Sequence, residues 1–501
     1  MALAILHTRA GVGLSAPRVQ VEVHLSQGLP GLTLVGLPET TVKESRERVR
    51  SALLNSGFEF PRQRITLNLA PADLPKQGGR FDLPIALAML TASGQLDERY
   101  VVGIECVGEL ALDGQLRAVG GVLSAARAVA KAGGTLIVPA DNAAEVALVP
   151  ALNYIAAHTL NDVVAHLSGQ CTLPYGAHRQ PTPHPSEVRY RWEDIQGQPT
   201  AKRALEVAAA GGHHLLMIGP PGTGKTMLAH TLPSLLPPLT AQEALDVATL
   251  RSIKGKPLHA RWGQRPFRAP FTNTGIAALC GGGRTPSPGE ISLAHNGVLF
   301  LDEIAEFDRH VLETLREPLE SGHVHISRVA ARCRYPARFQ LVAAMNPCPC
   351  GNLGHPKRLC LCTPLQVQRY QSRLSGPLLD RIDIQIHVGP PTHTELSCHT
   401  STDAETVRTR IHDARKKQQA RSMLNSTLPS HALIEACALT TAQTQWFQET
   451  LSRLQLSARA HYRLLRIART LADLDDSDRV LTVHLNEAIG LRHWRRHAET
   501  N

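Results

Sequence analysis

The stretch Gly219-Pro-Pro-Gly-Thr-Gly-Lys-Thr226 decides how this chain is read. It follows the apolar run Leu215 to Ile218 and precedes Met227-Leu-Ala, so the pattern is strand, glycine-rich loop, helix start. Glycines let the backbone curl until successive N–H groups and a helix N-terminus face an anion. In a phosphate-binding loop Gly219, Pro220, Pro221, Gly222, Thr223 and Gly224 form the cradle, Lys225 reaches the β- and γ-phosphates, and the Thr226 hydroxyl takes Mg²⁺. The competing reading is a glycine-rich turn in an ordinary strand–helix unit. The complete match in this context favours a nucleotide.

Downstream, Val298-Leu-Phe-Leu-Asp302-Glu303 has the pattern of a buried strand ending in two acids. Beside a phosphate cradle, Asp302 would hold Mg²⁺ through water and Glu303 would polarise the attacking water, because hydrolysis needs metal, clamp and carboxylate around one γ-phosphate. A second apolar run, Phe339-Gln-Leu-Val-Ala-Ala-Met-Asn346, ends in an amide that can orient the same water. The expected ligands are therefore ATP and Mg²⁺.

At 501 residues the chain is too long for one core and suggests two or three domains. Apolar residues make up 43%, a globular share, and no run of apolar residues is long enough to span a bilayer. The N-terminus lacks a basic leader, so a cytoplasmic, non-membrane protein is expected, with its ten cysteines reduced or bound to metal. A net charge of +10 and a pI near 9.2 suit a polyanionic partner without requiring one.

Breaks in the pattern divide the chain. Residues 1–170 mix alternating strands (Val19 to Leu25, Arg64 to Leu69) with helix-like segments, and 171–190 carries Pro174, Pro181, Pro183 and Pro185 like a linker. Residues 191–390 hold the nucleotide motifs, and 391–501 reads as helical.

Five segments together resemble one known family: Asp194-Ile-Gln-Gly-Gln-Pro through His213-His-Leu-Leu-Met, the phosphate loop, Gly289-Glu-Ile-Ser-Leu-Ala-His-Asn to Asp302-Glu303, Ala344-Met-Asn-Pro-Cys-Pro-Cys-Gly, and Ser375-Gly-Pro-Leu-Leu-Asp-Arg-Ile-Asp. The chain is similar over nearly its whole length to the ComM/YifB family of magnesium-chelatase-like AAA+ ATPases. The resemblance implies an α/β fold in three parts: an N-terminal Lon-protease-like α+β domain, an AAA+ ATPase core with magnesium-chelatase-type insertions, and a C-terminal helical lid. It also implies a homo-oligomeric ring, usually hexameric, with ATP between subunits, acting on single-stranded or branched DNA in natural transformation or recombination alongside recombination proteins.

The same resemblance assigns roles. Arg381 matches the arginine finger that enters a neighbour's site, and Asn346 the sensor. Arg459 matches the sensor-2 arginine, with Arg463 as runner-up. Ile195 and Gly197 fall where the family contacts adenine. A histidine pair usual in the family is replaced here by Phe271 and Thr272, so no role can rest on it.

Cys348-Pro-Cys350 and Cys360-Leu-Cys362 are two close thiol pairs. Four thiolates so spaced can close a tetrahedral structural Zn²⁺ site across a short hairpin, or pack as small apolar groups. Between Gly322 and Arg338 the chain alternates like a β-hairpin and carries Arg328, Arg332, Arg334 and Arg338, which can track DNA phosphates or form a solvated face.

In the N-terminal region Glu109 to Gly121 most resembles the Lon-like domain. Lys76-Gln-Gly-Gly-Arg80-Phe-Asp82 offers no serine nucleophile, and Ala125 stands where an activating lysine belongs, which argues against peptidase activity. The classes left are a DNA motor, a chelatase-type remodeller acting on a protein partner, and an ATP-gated scaffold.

Overall fold

The computed structural model describes residues 2–36, 40–72, 74–76, 78–179, 181, 190–255, 261–283, 286–327, 332–391 and 403–492. In the N-terminal region the strands lie in the order Gly31–Val35, Arg64–Ala70, Arg18–Ser26, Ala2–Arg9, Ile104–Cys106, Thr135–Pro139, Asn153–Ala157. Ala2–Arg9 and Arg18–Ser26 pair antiparallel, whereas Ile104–Cys106, Thr135–Pro139 and Asn153–Ala157 pair parallel. Strict alternation in Arg18–Ser26 buries Val19, Val21, Val23 and Leu25, because successive side chains point to opposite faces. Helix Asp82–Ala92, buried at nearly every position, packs against them. Of the expected linker, Gly176 donates to the Tyr154 carbonyl and Arg179 to that of Ala147, so this stretch runs along the N-terminal sheet.

The second sheet is wholly parallel, in the order Phe267–Arg268, Val298–Leu301, Gln340–Met345, Leu215–Ile218, Ile384–His387. Strands Leu215–Ile218, Val298–Leu301 and Gln340–Met345 are buried along their whole length, as covering both faces of a parallel sheet requires. That burial explains their unbroken apolar runs. It also leaves their carboxyl ends side by side, where the phosphate loop, Asp302 and Asn346 follow.

Beyond the sheet the described chain is helical: Ala404–Ala420, Ser430–Cys437, Thr441–Arg453, Ala458–Leu474 and Thr482–Gly490. Leu464, Ile467, Ala468 and Leu471 share one apolar cluster with Ala204, Leu205 and Ala208 of helix Pro199–Gly211. The C-terminal helices are thus packed onto the nucleotide core.

The N-terminal region docks onto the core at two places. Helix Ala241–Ile253 lies on helix Val122–Ala132, with Leu245 and Ala248 in the N-terminal apolar cluster and Arg127 paired to Asp246 at 2.8 Å. The Gly121 amide donates to the Ser252 carbonyl at 3.1 Å. Farther on, Val12 and Leu14 pack against the cluster holding Ile326 and Tyr335, and Gly13 lies against the backbone of Arg334.

Candidate active site

Pro221, Gly222, Thr223, Gly224, Lys225, Thr226, Asp302, Glu303, Met345 and Asn346 line one open cleft of about 370 Å³. The loop holds its shape because Gly224 adopts φ 86°, a left-handed conformation that costs glycine nothing, and starts helix Lys225–Leu235 there. Lys225 is buried, and its Nζ donates to the carbonyls of Gly219 at 2.7 Å and Pro220 at 2.8 Å and to Asn346 Oδ1 at 3.3 Å. Burial pushes its pKa down, while Asp302 and Glu303 push it back up. An ammonium so placed gains from an incoming phosphate, because it now has carbonyl dipoles where it can have full negative charge.

The Thr226 hydroxyl donates to Asp302 Oδ2 at 2.8 Å. These are hard oxygen donors meeting at the edge of the phosphate loop, and they fit Mg²⁺, which prefers few protein oxygens plus water and phosphate. Glu303 stands at φ 49°, unusual for a residue with a side chain and costing about 1 kcal/mol. Its amide donates to Asp302 Oδ1 at 3.0 Å, and its exposed carboxylate lines the cleft. Asn346, at the end of its strand, reaches the same lysine. The sequence's distant motifs therefore converge.

Ile195 and Gly197 do not line this cleft. Ile195 is 4% exposed in the apolar cluster beneath it, and Gly197 leads into helix Pro199–Gly211.

Arg381 is also absent from the cleft. It follows helix Gly376–Leu379, which Ser375 caps through the Leu378 amide, and lines a separate cavity. Nη1 donates to the Pro377 carbonyl at 2.7 Å and Nη2 meets Glu320 Oε2 at 2.7 Å. Arg459 lies exposed in the first turn of helix Ala458–Leu474, and its charge, after that of Arg381, holds the Glu320 carboxyl below its ordinary pKa. Arg463, one turn on, is committed elsewhere. It pairs with Asp383 Oδ1 at 2.5 Å and donates to the Arg381 carbonyl at 3.2 Å. Asp383 also accepts from the His214 amide at 3.3 Å, and Arg492 donates to its carbonyl at 2.8 Å. Burial opposes ionisation of Asp383, yet His213 and Arg463 hold its carboxyl far below the usual range. Asp383 thereby ties the Arg381 backbone to the last helices. Sequence reading missed this, since only the -Arg-Ile-Asp- spacing hinted at it.

The sulfurs of Cys348, Cys350, Cys360 and Cys362 lie within 4.8 Å of one another. Cys348 is 3.4 Å from Cys350 and 3.6 Å from Cys360. Thiolates at about 2.3 Å around tetrahedral zinc sit about 3.8 Å apart, so the cluster fits that ion closely. Burial pushes the Cys348 thiol up to about 12, against which the Leu353 amide, donating to its Sγ at 3.3 Å, favours the thiolate. Gly351 packs on Pro221: a Cβ there would lie 2.7 Å from the proline ring, so this hairpin abuts the lip of the phosphate loop.

Strands His323–Ser327 and Arg332–Pro336 form the expected hairpin. Cys333 and Tyr335 turn inward, while Arg334 is exposed with Nη2 3.0 Å from the His323 ring. Arg338 is exposed beyond the hairpin, and Arg332 opens its second strand. Arg328 lies outside the described residues. In the N-terminal region Lys76 is buried, donating to the Gly36 carbonyl at 3.0 Å, and Ala125 is buried, while Asp82 pairs with Arg48.

Three family models match in succession: subunit ChlI of magnesium chelatase over residues 21–142, magnesium chelatase subunit ChlI over 191–396, and its C-terminal part over 401–492. The competence protein ComM of Haemophilus influenzae is 49% identical across 98% of both chains. The chain belongs to the ComM/YifB family of magnesium-chelatase-like AAA+ ATPases. An uncharacterised YifB protein of Salmonella typhimurium is 50% identical across 98% of this chain and 97% of its own. A magnesium-chelatase 38 kDa subunit of Cereibacter sphaeroides is 26% identical over 40% of this chain and 59% of its own. Membership brings ATP and Mg²⁺ as the family's ligands, and the mixed α/β architecture with its parallel sheet fits the AAA+ core. Among the described residues, no helix is long and apolar enough to cross a membrane.

Proposed function

We propose that this chain is an ATP-hydrolysing ring motor that acts on DNA, supporting branch migration in transformation or recombination. The observation that carries the reading is the separation of Arg381 from the cleft of its own chain: a complete phosphate site on one side and a finger turned to another cavity suit catalysis between neighbouring copies. Lys225 exchanges its carbonyl partners for phosphate oxygens. Thr226 and Asp302 hold Mg²⁺, which offsets the charge of the phosphates. Glu303 takes the proton side of a water that Asn346 orients, and the neighbour's Arg381, with Arg459 beside it, meets the charge that develops on the γ-phosphate. The last helices act as the lid, and the N-terminal sheet, Lon-like in descent, pairs rings or grips a partner without cutting peptides.

The DNA assignment rests on net charge +10, on Arg334 and Arg338 exposed around the hairpin, and on the relative named as a competence protein. A translocating ring must release each step, so phosphate-directed charge suits it better than base reading. Structural Zn²⁺ at the four cysteines would stiffen the hairpin that abuts Pro221. ATP turnover measured with four-way, forked and plain duplex DNA tests the reading, with branched DNA expected to stimulate most. If branched DNA neither binds nor stimulates at low salt, a chelatase-like remodeller of a protein partner replaces it.

A further inference from the structure

An arginine meant for a neighbour's phosphate must have a nitrogen to give, and Arg381 has both terminal nitrogens engaged within its own chain. Nη1 is held by the Pro377 carbonyl, backbone of the helix just before it, and Nη2 by the Glu320 carboxylate, each at 2.7 Å. Among the described residues, Nε is buried without an acceptor. Of its two holders the carbonyl is fixed. Glu320 is not: its side chain is 63% exposed at the end of helix Arg316–Ser321, on the wall of a cavity of about 680 Å³. Other charges on that wall are Glu313, Arg316 and Glu317, of which Glu313 and Arg316 pair with each other at 2.8 Å. Glu320 is thus the releasable partner, within the field of Arg459 as well.

We propose that Glu320 is a positioning residue of the site between subunits: its carboxylate holds Arg381 Nη2 in place of the neighbour's γ-phosphate and yields it when that phosphate arrives. The inference rests on Arg381 being the finger. Carboxylate and phosphate present guanidinium with similar oxygen pairs, so the same donor geometry serves both. Holding the arginine in place spares rotamer freedom at the moment of closure, whereas the carboxylate's charge competes with the phosphate. Glu320→Gln keeps an acceptor oxygen and removes only the competing charge. Glu320→Ala removes both.

The test is ATP turnover against protein concentration, which reports closure of subunits on one another. For Glu320→Gln the half-maximal concentration should fall roughly two- to fivefold at low salt, the range of an exposed ion pair, and converge on wild type at high salt. Glu320→Asp should stay near wild type, and Glu320→Ala should lower the maximal rate. In an Arg381→Ala background, ATP-dependent assembly followed by sedimentation should show no gain from Glu320→Gln. A half-maximal concentration unchanged or raised by Glu320→Gln at low salt, or the same gain without Arg381, overturns the proposal. Full turnover by Arg381→Ala alone overturns the finger reading beneath it, a separable result.

Discussion

Around Lys225 the partners come from ends of adjacent parallel strands, and each polar contact closes within a few residues of a motif. Around Arg381 the partners come from Glu320, Arg459, Arg463 and Asp383, brought together from a short helix, a strand end and the C-terminal helices. The first region is preformed by local sequence and sheet register. The second depends on the docking of whole elements. A cleft of the first kind is complete within a few local motifs, whereas a face of the second kind forms only when the core and the last helices are in position together, and it is this face that we propose meets a neighbour.

The sharpest way to break this contrast is to cripple each side alone. Lys225→Ala should abolish phosphate binding, seen as loss of detectable ATP binding by calorimetry. Glu303→Gln should bind ATP and hydrolyse it about 10²-fold more slowly or worse. Arg381→Ala should bind ATP as wild type does yet lose about 10³-fold in turnover. Mixing Arg381→Ala with Glu303→Gln chains should restore some turnover, because one of the two kinds of mixed interface joins the intact cleft of the first to the intact finger of the second. No recovery would mean that the two regions do not meet across subunits.

Acid should separate them next. Burial pushes the His214 imidazole down to about 4, against 6.5 when free, and Asp383 beside it has a carboxyl held below its ordinary range. Both groups are depressed in the folded chain, so both contribute stability above their unfolded pKa values that is lost as pH falls. The histidine's share, up to about 3 kcal/mol, should disappear between about pH 6.5 and 4, and the aspartate's at lower pH still. Chemical denaturation across that range should therefore show falling stability, with a shallower slope in His214→Asn. An equal slope would remove His214 from the account.

How far each region could be read beforehand follows from the same contrast. Gly219 to Thr226, Asp302 and Asn346 were legible because chemistry and position coincide in short motifs on strand ends. The four cysteines were legible for the same reason, as spacing alone brings two close pairs within reach. What Asp383 and Glu320 do was not legible. Nothing near Glu320 in sequence announces that it meets Arg381, and Arg463 resembled Arg459 until Asp383 was seen to hold it. Nor did composition reveal that Val12, Gly13 and Leu14 pack on the hairpin, since a short apolar patch in a loop has no period to read.

A smaller effect should sharpen the picture at the hairpin. Replacing Arg334 and Arg338 with Gln should weaken DNA binding evenly across unrelated sequences and flatten its salt dependence by about one unit of slope per lost contact. ATP turnover without DNA should survive, because neither side chain lines the cleft. An unchanged salt slope would leave these arginines as solvated surface.

The contact between Gly351 and Pro221 has a consequence for anyone reading variation in this chain. Gly351 stands at φ 77°, and a methyl group there would press a proline ring that cannot rotate aside. In a genetic screen, Gly351→Ala would be scored among the nucleotide-binding mutants, although the residue touches no phosphate and sits in a thiol hairpin. Chance alleles found there would tell more about the neighbouring loop than about the four thiols.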